Sequence, residues 1–163
     1  MADSVRLGPP IRGDHMESER IMADELTIDR VQEHLMRAPY HQWLGLKVMA
    51  LHDDGIEIKA TWRDEWVVNP ERRYTHGGVL AALIDLGADW AMIKKLGRAV
   101  PTIDLRIDYH SAAMPGDLTV RGKVIRMGSQ VSTAEASIYD AGGKLLASGR
   151  GSYFTAPPPP PKG

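Results

Sequence analysis

The fold turns on residues 69–97, NPERRYTHGGVLAALIDLGADWAMIKKLG. From Val79 to Leu96 the stretch lacks proline and favours helix, which predicts one long helix. Val79, Leu80, Leu83, Ile84, Leu86, Trp90, Met92 and Ile93 surround most of its circumference. A helix apolar on most sides is buried on most sides. Gly97 suits a C-terminal stop, and Lys94 and Lys95 suit the negative end of the helix dipole. Asp85 and Asp89 interrupt this apolar surface on a shared face with Gly78 and Ala82. Small residues there let another backbone approach, and a second subunit is the natural candidate. A buried, unpaired carboxylate is costly, so each aspartate needs a partner, a raised pKa or a function. The spacing leaves structural and functional roles both open.

The helix is preceded by His76-Gly77-Gly78. A first helical turn leaves N–H groups unpaired in a positive dipole potential, and glycines leave those donors sterically open. Such a corner can hold an oxyanion or carbonyl oxygen. It can equally be a tight turn. Asp85 lies nine residues after His76, on the opposite side of the helix and about 13 Å along its axis. The two cannot ligate one ion within a subunit, and no metal is expected.

On either side of this helix the pattern changes to strands. Upstream, TIDRVQEHLMRAP reads as a short helix capped by Thr27 and stopped by Pro39, with Ile28, Val31, Leu35 and Met36 as its apolar stripe. YHQWLG, residues 40–45, reads as a connector. LKVMALHDDGIEIKATW reads as two strands turning at Asp53-Asp54-Gly55. Downstream, Ile103, Leu105, Ile107 and Tyr109 alternate with Asp104, Arg106 and Asp108, and three further strands follow. The connections are mostly short, which predicts antiparallel neighbours. An α+β domain of about six strands with one long helix on the sheet accounts for the order.

The totals bound the rest. A chain of 163 residues suits one domain. Residues 1–25 read as a flexible leader, 26–155 as the domain and 156–163 as a proline-rich extended tail. The net charge of −1 gives no argument for nucleic acid. No apolar run is long enough for a membrane span, the leader lacks a secretory core, and a cytoplasmic location fits. Cysteine is absent, so disulfides and thiolate chemistry are excluded. No G-x-S-x-G elbow, Walker loop or G-x-G-x-x-G motif occurs.

Three stretches, NPERRYTHGGVLAALIDLGADWA, PTIDLRIDYHSAAMPGDLTVRGKVIRMG and GGKLLASGRGSYF, resemble the hotdog-fold acyl-CoA thioesterases of the phenylacetate-degradation (PaaI-like) type. The resemblance runs from about Gln42 to Phe154. It implies a curved antiparallel sheet wrapped around the long helix, and a homodimer with a continuous sheet that pairs again into a homotetramer. It implies that Asp85 is the nucleophile or general base and that the Gly77 N–H polarises the thioester carbonyl. His76 would hold that geometry, Asn69 would stand for an upstream asparagine, and Thr102 would assist the carboxylate. Asp85 and the His-Gly pair would come from opposite subunits. Acyl-CoA is then substrate, and no cofactor is implied. The family's Asn and His are six residues apart with a glycine between; here they are seven apart without one. Where the family often has a basic residue in the hairpin bordering CoA, this chain has Ser129. Arg126, Ser129, Arg72 and Arg73 are the candidates for the CoA phosphates. A non-catalytic acyl-CoA-binding module and an enoyl-CoA hydratase or dehydratase are the competing expectations. Asp89 is expected to be structural or interfacial.

Overall fold

The computed structural model describes residues 26–157, so the expected leader and nearly all of the expected tail lie outside the described residues. Thr27 caps helix α1 (Ile28–Leu35), its hydroxyl accepting from the Arg30 N–H at 3.3 Å. The expected connector at 40–45 is largely a second helix, α2 (Pro39–Trp43). Pro39 does block α1, but it also sits at the first position of α2, where its missing N–H costs nothing and its φ is already helical.

The six strands are β1 (Leu46–His52), β2 (Gly55–Ala60), β3 (Thr102–Tyr109), β4 (Leu118–Arg126), β5 (Val131–Tyr139) and β6 (Leu145–Phe154). They form one antiparallel sheet in the order β1-β2-β4-β5-β6-β3. The long helix α3 (Gly77–Leu96) lies against it. The expected start at Val79 moves back to Gly77, because His76 rather than a later residue supplies the cap.

Two faces of the sheet differ in chemistry. The outer face carries a ladder of opposed charges: Glu57 with Arg121 at 2.8 Å, Lys123 with Glu135 at 3.1 Å, and Arg150 with Glu135 at 3.4 Å. Each pair is directly opposed in the strand register. Such exposed pairs contribute roughly 0.2–1 kcal/mol each and chiefly keep this face in water. The inner face carries Ile56, Ile58, Leu118, Val120, Ala134, Ala136 and Ile138, all buried. Its central positions are small, and this seats the helix closely. A Cβ at Gly122 of β4 would lie 1.8 Å from the Gly87 carbonyl oxygen of α3. Gly149 of β6 is similarly filled by Ile84, whose Cγ2 would lie 2.6 Å from a Cβ there.

Strand β3 corrects one expected face. A bulge falls between Thr102 and Asp104: Thr102 opposes Tyr153, while Asp104 opposes Ser152. The extra residue is Ile103, which is turned out and 54% exposed instead of sharing a face with Leu105 and Ile107. A bulge inverts the alternation beyond it. Thr102 therefore joins Leu105 and Ile107 on the side facing α3.

Candidate active site

The first turn of α3 is built by His76. Its backbone is extended, φ −60° and ψ 134°, and its Nδ1 accepts from the Gly78 N–H at 2.8 Å. Of the two glycine donors, one is thus taken by the cap. The Gly77 N–H has no partner among the described residues. The Tyr109 hydroxyl donates to the Gly77 carbonyl oxygen at 3.0 Å, and a Cβ at Gly77 would lie 3.3 Å from the Tyr109 ring. Beside them opens a cavity of about 370 Å³ lined by Tyr74, Leu80, Tyr109, Ser111 and Ala113 among others. Neither Trp62 nor Trp66, the aromatic candidates for an acyl pocket, lines it. Trp66 is fully buried in the core, and Trp62 donates its indole N–H to Thr75 at 3.2 Å.

Asp85 lies on the same helix, about two and a half turns further on. Its Oδ1 accepts from the Thr102 hydroxyl at 3.1 Å and from the Tyr153 hydroxyl at 3.3 Å. These two donors are directly opposed residues of β3 and β6. The structure therefore brings Thr102 to Asp85, and brings Tyr153 there too, a residue that reading the sequence did not single out. Its signal was the glycine two positions earlier: a Cβ at Gly151 would lie 2.6 Å from the Tyr153 hydroxyl. One turn on, Asp89 is largely buried with its Oδ1 unpaired. Burial, and then the neighbouring charge of Asp85, pushes its carboxyl up to about 7.

Within one chain Asp85 stays apart from the His76–Gly77 corner. Asn69 is also committed elsewhere: its side-chain oxygen accepts from the Arg72 N–H at 2.7 Å, so it caps its own turn. Arg73 adopts a left-handed backbone, pairs with Asp64 and lies 5.6 Å over the Trp62 ring. The side chains of Arg72, Arg126 and Ser129 are exposed and bond to no described residue. His110 bonds to Ser148 at 2.8 Å on the exposed side of the sheet. Among the described residues no group of three metal-ligating side chains gathers, and no helix is long and apolar enough to cross a membrane.

A Brønsted base with one oxygen anchored, and an uncommitted amide donor at a helix N-terminus, are the two parts that acyl transfer to water requires. Comparison with known proteins points the same way. A family model described as the thioesterase superfamily matches residues 73–147. A crystal structure described as a protein from the thioesterase superfamily is 41% identical, covers 78% of this chain and 97% of its own, and superposes with a TM-score of 0.76. A Halobacterium salinarum protein carrying a provisional esterase name is 33% identical over 122 residues, 68% of this chain and 80% of the relative. A medium/long-chain acyl-CoA thioesterase of Salmonella typhimurium is 23% identical over 132 residues, covering 71% of this chain and 84% of that protein.

Proposed function

The chain belongs to the thioesterase superfamily, with the six-stranded hotdog fold of that family, and from this premise we propose that it hydrolyses an acyl-CoA thioester to the free acid and CoA. The observation that carries the reading is Asp85, a carboxylate held on Oδ1 by Thr102 and Tyr153 within a mostly apolar helix. In the proposed reaction the Gly77 N–H donates to the thioester oxygen as negative charge develops there. His76 keeps Gly77 at the helix tip by capping Gly78. Asp85 of the other subunit attacks the carbonyl carbon or takes a proton from the attacking water. The thiolate of CoA departs as the C–S bond breaks.

Arg126, Arg72 and Ser129 are the groups proposed to meet the CoA phosphates. Arg73 is a weaker candidate because Asp64 already holds it. Asn69 keeps its side-chain NH2 as the donor it would bring to the site, since only its oxygen is held by the Arg72 N–H. His76 Nδ1 is taken by the helix cap, and an enoyl-CoA hydration assay run beside thiol release separates the hydratase alternative. Thiol release from a panel of aliphatic and aromatic acyl-CoA esters tests the reading. Asp85→Asn is expected to lose at least about 100-fold in kcat while melting as a folded protein. Ligand-dependent stabilisation without thiol release from any ester would make the protein a binding module instead.

A further inference from the structure

Resting on the thioesterase reading, we propose that Tyr153 is a positioning residue that, together with Thr102, anchors Oδ1 of Asp85 and so presents Oδ2 as the reacting oxygen. Both hydroxyl donors fall on the same oxygen, at 3.1 and 3.3 Å. No described residue donates to Oδ2, and it is not among the sealed, unpaired polar atoms of the interior, so it stays open to an incoming molecule. A carboxylate with two equivalent free oxygens rotates; one pinned by two donors has a fixed plane and a fixed reactive lone pair. Orientation of this kind is a large part of what a site supplies to a reaction.

Tyr153 is built for this and for little else. Its ring is fully buried, and among the described residues its hydroxyl finds acceptors only on Asp85: the side-chain oxygen at 3.3 Å and the carbonyl oxygen at 3.5 Å. A phenol has one proton, and the carbonyl lies within the ladder of α3, so the shorter, side-chain bond takes it. Burial, and then the charge of Asp85, pushes the phenol above its ordinary value, which keeps it a donor. Gly151 opens the path, since a Cβ there would lie 2.6 Å from the hydroxyl and 2.7 Å from the ring. Register supplies the remaining element: the bulge at Ile103 turns Thr102 inward opposite Tyr153, so both hydroxyls arrive from one cross-strand pair.

The anchoring serves either route. With Asp85 as base, Oδ2 takes a proton from water as the water oxygen bonds to the acyl carbon; the C–S bond breaks and that proton passes to the thiolate. With Asp85 as nucleophile, Oδ2 bonds to the acyl carbon, the thiolate leaves, and water then cleaves the mixed anhydride.

The test uses the full chain with Tyr153→Phe, Gly151→Ala, Asp85→Ala and the Asp85→Ala/Tyr153→Phe double variant. Thiol release and thermal melting are measured for each. Removing one hydrogen bond to a charged group is expected to lower kcat roughly tenfold with KM within about twofold in Tyr153→Phe. Gly151→Ala, which displaces the hydroxyl without deleting it, is expected to do the same. In melting, the losses from Tyr153→Phe and Asp85→Ala are expected to be non-additive, because the two groups bond to each other. Wild-type kcat in Tyr153→Phe with additive melting shifts overturns the inference and leaves the thioesterase reading standing. If the wild-type chain hydrolyses no thioester, that reading fails by itself. The melting cycle then decides the anchoring alone: additivity overturns it and non-additivity upholds it.

Discussion

Asp89 sits one helical turn beyond Asp85, largely buried and with one oxygen unpaired among the described residues. Burial raises its carboxyl from 3.8 to about 7, so between those values the folded chain holds a proton that the unfolded chain has released. Stability contributed by this group is complete below about pH 4 and is lost as pH rises towards 7, on the order of 4 kcal/mol in all. Asp89→Asn removes the ionisation. Thermal or denaturant melts should show wild type and variant close together near pH 4 and the variant melting higher at pH 8. A difference between wild type and Asp89→Asn that stays flat across that window would show that Asp89 finds a partner. At this scale the helix was the easy part to read. Gly77, Asp85 and Asp89 follow from counting along one element, because helical geometry is local. Tyr153 and Tyr109 did not, because their partners lie 68 and 32 residues away and only strand pairing brings them in.

Elements were legible where a period was long enough to see. Helix α3, with 20 residues, and the β1–β2 hairpin with its Asp-Gly turn emerge from the pattern alone. Helix α2 has five residues, too few for any period, and its proline reads as a stop for α1 before it reads as a start. The bulge in β3 was invisible because alternation through Ile103 is unbroken in sequence; only pairing with β6 shows that one residue is extra. How α3 meets the sheet depends on glycine. A Cβ on Gly122 would lie 1.8 Å from backbone of Gly87, and backbone cannot rotate away as a side chain can. Gly122→Ala should therefore lift the helix and cost about 1–3 kcal/mol or more. A drop of several degrees in Tm is the expected result, whereas wild-type melting would mean the helix shifts without loss.

At the scale of the molecule, β3 ends the sheet and its outer edge is unpaired among the described residues, with Ile103 54% and Tyr109 56% exposed. An apolar open edge is a template for another strand. A dimer that pairs these edges, and a site that takes Asp85 from one subunit and Gly77 from the other, are open to a complementation test. Gly77→Pro removes the donor at a helix position where proline is well tolerated, and His76 already has the extended backbone that a following proline prefers. Asp85→Asn and Gly77→Pro are each expected to be inactive as homo-oligomers. Co-expressed, half of the dimers are mixed and each carries one intact site, so about a quarter of wild-type activity should return. No recovery would place both groups of each site in a single subunit.

Sequence by itself determined the long buried helix, the antiparallel strands around it, and the presence of a carboxylate and a glycine-rich helix start on that one element. These are local properties, written in periods of two and 3.6 residues and in the chemistry of caps and turns. Tertiary structure decided which oxygen of Asp85 is held, by which hydroxyls, and that Asn69 and Arg73 are engaged in their own loop. Those outcomes depend on register, on a single inserted residue in β3, and on the space that Gly151 leaves. Contacts between residues distant in sequence are settled only when strands pair and side chains compete for the same volume.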